Sequence, residues 1–139
     1  MGQSKPFSRA TILVVEDDED QRSLASTVFE EAGFRVIECE SAEAAAAVLD
    51  ASRGEIAMVF TDLRLPGRMD GVALARMAST KTPSVPVIVT SGAFRERLHD
   101  LPDSIEYMQK PWRTLDLFIR AERIREGGGE GPSWRGDIL

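Results

Sequence analysis

Five short apolar runs recur along the chain, and three of them show no polar alternation. "TILVV" (11–15), "IAMVFT" (56–61) and "PVIVT" (86–90) are nearly all apolar. A strand with one wet face alternates apolar and polar residues, whereas a strand buried on both faces has no reason to, and that is the habit of parallel sheets. "RVIEC" (35–39) and "IEYMQ" (105–109) are more mixed, as edge strands of such a sheet would be.

Helical patterns fill the gaps. From Asp20 to Ala32, the residues Leu24, Ala25, Val28, Phe29 and Ala32 form one apolar stripe, and Gly33 follows as a stop. Ser41 is placed to cap "AEAAAAVLDAS", and Asp70 to cap "GVALARMAS". After Pro111, "RTLDLFIRAERIRE" is expected to turn Leu115, Phe118 and Ile119 inward and its arginines outward. "AFRERLH", ahead of Pro102, offers at most two short turns. The order β-α-β-α-β-α-β-(α)-β-α implies an α/β domain, with right-handed crossovers and helices on both faces of the sheet.

A chain of 139 residues is long enough for one domain with a real core. We divide it into an N-terminal extension (1–9), a domain (10–126) and a Gly-rich, flexible C-terminal tail (127–139). Trp134, Ile138 and Leu139 offer a docking reading of that tail, against which its composition weighs. The net charge of −6 disfavours nonspecific binding to nucleic acid or anionic membrane. Cys39 is the single cysteine, so no intrachain disulfide can form and a reducing cytoplasm is the expected setting. No apolar run reaches the roughly 18 residues of a membrane span.

In an open parallel sheet, ligands gather beyond the carboxyl ends of the strands. Those ends carry Glu16-Asp17-Asp18, Asp62, Thr90-Ser91-Gly92 and Lys110-Pro111. Carboxylates form a hard oxygen site suited to Mg²⁺. A separate carboxylate can attack phosphorus to give an acyl phosphate, while a lysine and a hydroxyl hold the phosphoryl oxygens. Asp18, Glu19 and Asp20 read instead as a solvated helix start that favours the dipole. Thr90 reads as a core-edge residue, Phe94 and Trp112 as packing, and His99 as part of a solvated stretch.

"ILVVEDDE", "VFTDLRLPG", "MDGVALA", "PVIVTSG" and "YMQKPW" together resemble the receiver domain of bacterial two-component response regulators, over roughly residues 10 to 125. The resemblance implies a flavodoxin-like strand order of 2-1-3-4-5, with a short or irregular fourth helix here. It implies Asp62 as phosphoacceptor, Glu16 and Asp17 as the acidic pair for Mg²⁺, and the Arg64 backbone carbonyl as a further metal ligand. Ser91 matches the switch hydroxyl, Lys110 the phosphate-binding lysine before a cis Pro111, and Tyr107 the aromatic that changes rotamer. Positions two beyond Asp62 and Ser91 tune phosphate lifetime in the family. Here they are Arg64 and Ala93, which implies slow self-dephosphorylation. The implied partner is a sensor histidine kinase or histidine phosphotransfer protein, with a downstream protein target that the sequence does not name. No DNA-binding domain is expected.

Two departures stand out. "LPGRMDG" has one residue more between Pro66 and Asp70 than the shortest family version, which alters the approach to the third helix. The region from Ser91 to Lys110 is short and carries Pro102, so we expect its helix to order on phosphorylation. The same motifs suit a receiver excised from a hybrid sensor kinase. An aspartate-nucleophile phosphatase would need Asp-x-Asp on the first strand. "DED" (18–20) lies beyond the strand end and would leave Asp62 without a role.

Overall fold

The computed structural model describes residues 10–52, 54–92 and 100–126. Its five strands are β1 (Thr11–Val15), β2 (Arg35–Cys39), β3 (Ile56–Asp62), β4 (Val87–Ser91) and β5 (Glu106–Gln109). Four helices lie among the described residues: α1 (Glu19–Glu31), α2 (Ala42–Ala51), α3 (Gly71–Lys81) and α4 (Thr114–Arg125). All strand pairs are parallel and the order is β2-β1-β3-β4-β5, the flavodoxin-like arrangement. The two mixed runs, β2 and β5, are the sheet edges. The segment holding Phe94, Ala93 and His99 lies outside the described residues, as do 1–9 and 127–139.

The core explains why the central strands do not alternate. On β1, Leu13 and Val15 join one apolar layer under α2 and α3, while Ile12 and Val14 join the other under α1 and α4. On β3, Val59 and Met58 divide the same way, and on β4 Val89 and Ile88 do so. Each side of the sheet meets helices, so both sides must be apolar. Helix starts follow the caps: Ser41 Oγ accepts from the Ala44 N–H at 3.1 Å, and Asp70 Oδ1 from the Ala73 N–H at 3.0 Å. Asp18 caps α1, accepting from the Gln21 N–H at 2.9 Å, and Glu19 and Asp20 follow in the exposed first turn.

Three expectations about helix faces need correction. Leu24 is 48% exposed and lies off the buried stripe of Ala25, Val28, Phe29 and Ala32. At about 100° per residue, it sits roughly 90° from the centre of that stripe. On α4 the buried face is Leu117 and Ala121, with Ile124 beside them, so Leu115, Phe118 and Ile119 point outward. That helix has two apolar stripes, and periodicity cannot choose between them. Tertiary contacts choose: Trp112 stacks edge-on against Phe60 at 5.8 Å, and Arg120 turns inward to Glu106 on β5. Arg120 is therefore not an outer arginine; its side chain is 11% exposed.

Candidate functional site

The carboxyl ends of β1 and β3 lie side by side because Val15 pairs with Thr61. One residue further on, Glu16 and Asp62 come off neighbouring strands, both buried. Asp17 is exposed above them, and one carboxylate oxygen from each of the three lies within 4.8 Å of the others. Lys110 reaches over from the end of β5. Its Nζ stands 3.1 Å from Glu16 Oε1 and 3.1 Å from Asp62 Oδ2. The Lys110 N–H donates to the Ser91 carbonyl at 2.9 Å, and the Lys110-Pro111 bond is cis.

Three carboxylates thus face one ammonium. Burial is the main force raising the Glu16 carboxyl above its ordinary value. The Asp18 N–H on Glu16 Oε2 opposes it, Asp62 adds to the rise, and Lys110 counters it. For Lys110, burial pulls the ammonium downward, but Asp62 and Glu16 outweigh it and the net shift is upward. The lysine is held charged, and three carboxyl groups cluster around this end of the sheet. An all-oxygen, anionic donor set with one exposed member fits a hard divalent cation such as Mg²⁺.

Ser91 ends β4, buried, one residue past the Thr90 that pairs with Asp62. Tyr107 is half-buried on β5, and its hydroxyl donates to the Ser91 carbonyl at 3.4 Å. Thr90 is buried, and among the described residues its hydroxyl has no hydrogen-bond partner. Arg64 is exposed, and its N–H reaches Asp62 Oδ1 at 3.4 Å. Ala93 lies outside the described residues.

Sequence reasoning missed two supporting residues. Arg22 on α1 donates from Nη1 to the Glu16 carbonyl at 2.9 Å and from Nε to Glu38 at 3.1 Å. Glu43 on α2 accepts from the Arg68 and Met69 N–H groups. Arg22 lies on the polar side of a helix period, where such a role leaves no signal. Glu43 reads as an acid in a helix's first turn, which is ordinary.

A family profile described as the response regulator receiver domain matches residues 12–118. The C4-dicarboxylate transport transcriptional regulatory protein DctD of Rhizobium meliloti (strain 1021) is 34% identical over 124 residues, or 84% of this chain and 25% of its own length. The response regulator protein FleR of Pseudomonas aeruginosa is 32% identical over 117 residues, or 80% of this chain and 24% of its own. The chain spans about a quarter of the length of these relatives. Among solved structures, a response regulator receiver protein from Sinorhizobium medicae WSM419 is similar at a TM-score of 0.77 and 25% identity, covering 84% of this chain and 94% of that one. The receiver domain of the hybrid histidine kinase CckA is similar at a TM-score of 0.69 and 26% identity, covering 82% and 97%. No described helix is long and apolar enough to cross a membrane. A match that enters with the first strand and leaves in the last helix, on a sheet wound in this order, makes the chain a member of the response regulator receiver domain family.

Proposed function

We propose that this chain is a phosphorylation-dependent signalling receiver whose phosphoacceptor is Asp62. The observation that carries the reading is the Lys110 ammonium bridging Glu16 and Asp62, with Asp17 in the same cluster. Glu16, Asp17, Asp62 and the Arg64 backbone carbonyl would hold Mg²⁺. When bound, that ion supplies charge neutralisation to the acids and to an approaching phosphoryl group. An Asp62 carboxylate oxygen bonds to phosphorus as the donor's phosphorus–nitrogen bond breaks, and the electron pair leaves on the donor imidazole, which is protonated. Lys110 then pairs with a phosphoryl oxygen, and the Ser91 hydroxyl donates to another. Tyr107, whose hydroxyl donates to the Ser91 carbonyl, is suited to sense that new bond. The donor is a histidine kinase or phosphotransfer protein. The output is altered binding of a protein partner rather than turnover of a substrate.

The same chemistry serves a stand-alone regulator or a receiver within a longer protein, such as a hybrid sensor histidine kinase; the match to a quarter of DctD supports the second reading. Arg64, two residues past Asp62, is proposed to lie over the phosphoryl group and slow its hydrolysis, with Ala93 offering no hydrogen bond to an attacking water. The test is incubation with Mg²⁺ and a small phosphodonor such as acetyl phosphate. A hydroxylamine-labile phosphate is expected, absent from Asp62→Asn and slow to decay. Label that persists in Asp62→Asn overturns the assignment of Asp62. Fast decay, unchanged in Arg64→Ala, overturns the shielding role.

A further inference from the structure

The connection between β3 and α3 runs through the proposed metal-ligating carbonyl of Arg64, and its two ends are tied down by the fold. At its base, the Gly71 N–H donates to the Leu63 carbonyl at 2.9 Å, and the Leu63 N–H to the Thr90 carbonyl at 2.7 Å. The crest is held from α2. There the backbone N–H groups of Arg68 and Met69 both donate to one oxygen, Glu43 Oε2, at 2.8 and 3.0 Å. Gly67 lets the crest come this near: its φ is +96°, and a Cβ there would stand 2.9 Å from both Glu43 carboxylate oxygens. Leu65 and Met69 turn their side chains to the apolar layer under α2 and α3, so the same segment is held on a second side.

We propose that Glu43 is a positioning residue for the metal site: by pinning the 68–69 amides to α2, it sets where the Arg64 carbonyl stands relative to Asp62. The proposal rests on the receiver reading for the role of that carbonyl, and on the geometry above for the pin. Backbone N–H groups of Glu43 itself, Met69 and Arg68 hold its carboxyl below the ordinary value, so the acceptor is an anion at neutral pH. The plainer role for an acid in a first helical turn is to complement the helix dipole. The two roles make different demands. A dipole partner must be charged, whereas a pin must supply an acceptor oxygen, and glutamine supplies the oxygen without the charge.

The experiment measures amide exchange at Arg68 and Met69 in the metal-free full chain, and Mg²⁺ affinity by calorimetry, for the native chain, Glu43→Ala and Glu43→Gln. Glu43→Ala is expected to speed exchange at both amides and to weaken Mg²⁺ by roughly threefold to tenfold. That lies at or below the low end for groups that orient metal ligands, because Glu43 is exposed and acts through backbone. Glu43→Gln should stay within about twofold of the native chain in both measurements, since one oxygen accepts both bonds. Native affinity and native exchange in Glu43→Ala overturn the proposal, and so does a Glu43→Gln as impaired as Glu43→Ala. A native chain that takes up neither Mg²⁺ nor phosphate overturns the receiver reading and the metal role together. Mg²⁺ binding that is native in strength and insensitive to Glu43→Ala overturns this proposal alone.

Discussion

Between β1 and α1 the chain turns in residues 16–18, whereas between β3 and α3 it takes residues 63–70. Both adjoin one acid cluster, the short one carrying Glu16 and Asp17 and the long one leaving from Asp62, yet they are held by different means. The short one is mostly self-contained. The Asp18 N–H donates to Glu16 Oε2 and the Asp18 side chain caps Gln21, while Arg22, one turn into the helix, ties down the Glu16 carbonyl. The long one depends on distant residues, with Thr90 at its base and Glu43 at its crest. A turn of a few residues can satisfy its polar groups from its own caps. A longer one leaves amides that another element must accept, or they go to water.

The comparison breaks most sharply at Gly71. A Cβ there would stand 2.1 Å from the Asp62 carbonyl oxygen and 2.7 Å from the Leu63 Cα, both backbone atoms that cannot swing aside. Gly71→Ala should therefore cost about 3 kcal/mol, measured as a lower urea midpoint at unchanged slope. A loss under about 0.5 kcal/mol would mean that the base of the long loop is soft and that the contrast is misdrawn. A smaller effect is expected in the short turn. Arg22→Ala removes a charged hydrogen bond to the Glu16 carbonyl and a half-exposed pair with Glu38, which together contribute about 1.5 kcal/mol. An unchanged midpoint in that variant would show that the short turn holds without Arg22.

The smallest effect is the most discriminating, because the two connections should respond to acid with opposite sign. The Glu16 carboxyl is raised above 4.5 in the fold, chiefly by burial, so its contribution is present below 4.5 and is lost as pH rises through the folded value. The Glu43 carboxyl is lowered below 4.5 by backbone donors, so its contribution is present above 4.5 and is lost as pH falls through the folded value. Metal-free unfolding midpoints across this range should show Glu16→Gln flattening the loss on the alkaline side and Glu43→Gln the loss on the acid side. The same sign of change in both variants would refute the contrast.

Much of the fold is legible in the residue pattern. The three unalternating runs lie in the inner strands because each must feed two apolar layers, and the two mixed runs are the edges. Ser41 and Asp70 cap the helices that follow them, as their positions imply. Glu16, Asp17, Asp62 and Lys110 are legible as a set because parallel strands end on one side of the sheet. The inner face of α4 is not legible, since Leu115, Phe118 and Ile119 make as good a stripe as Leu117, Ala121 and Ile124. Arg120 chooses between them by reaching Glu106.

By itself, then, the sequence determined the parallel α/β architecture, the helix starts and the identity of the acids and the lysine at the strand ends. These follow from residue types acting over a few positions: burial on two faces, a capping oxygen, a charge placed where a strand stops. The tertiary structure decided which face of α4 is buried, how Lys110 divides itself between Glu16 and Asp62, and that Glu43 holds a loop about 25 residues further along. Such choices turn on which elements become neighbours once the chain is wound, and a contact across the fold leaves no periodicity behind it in the chain.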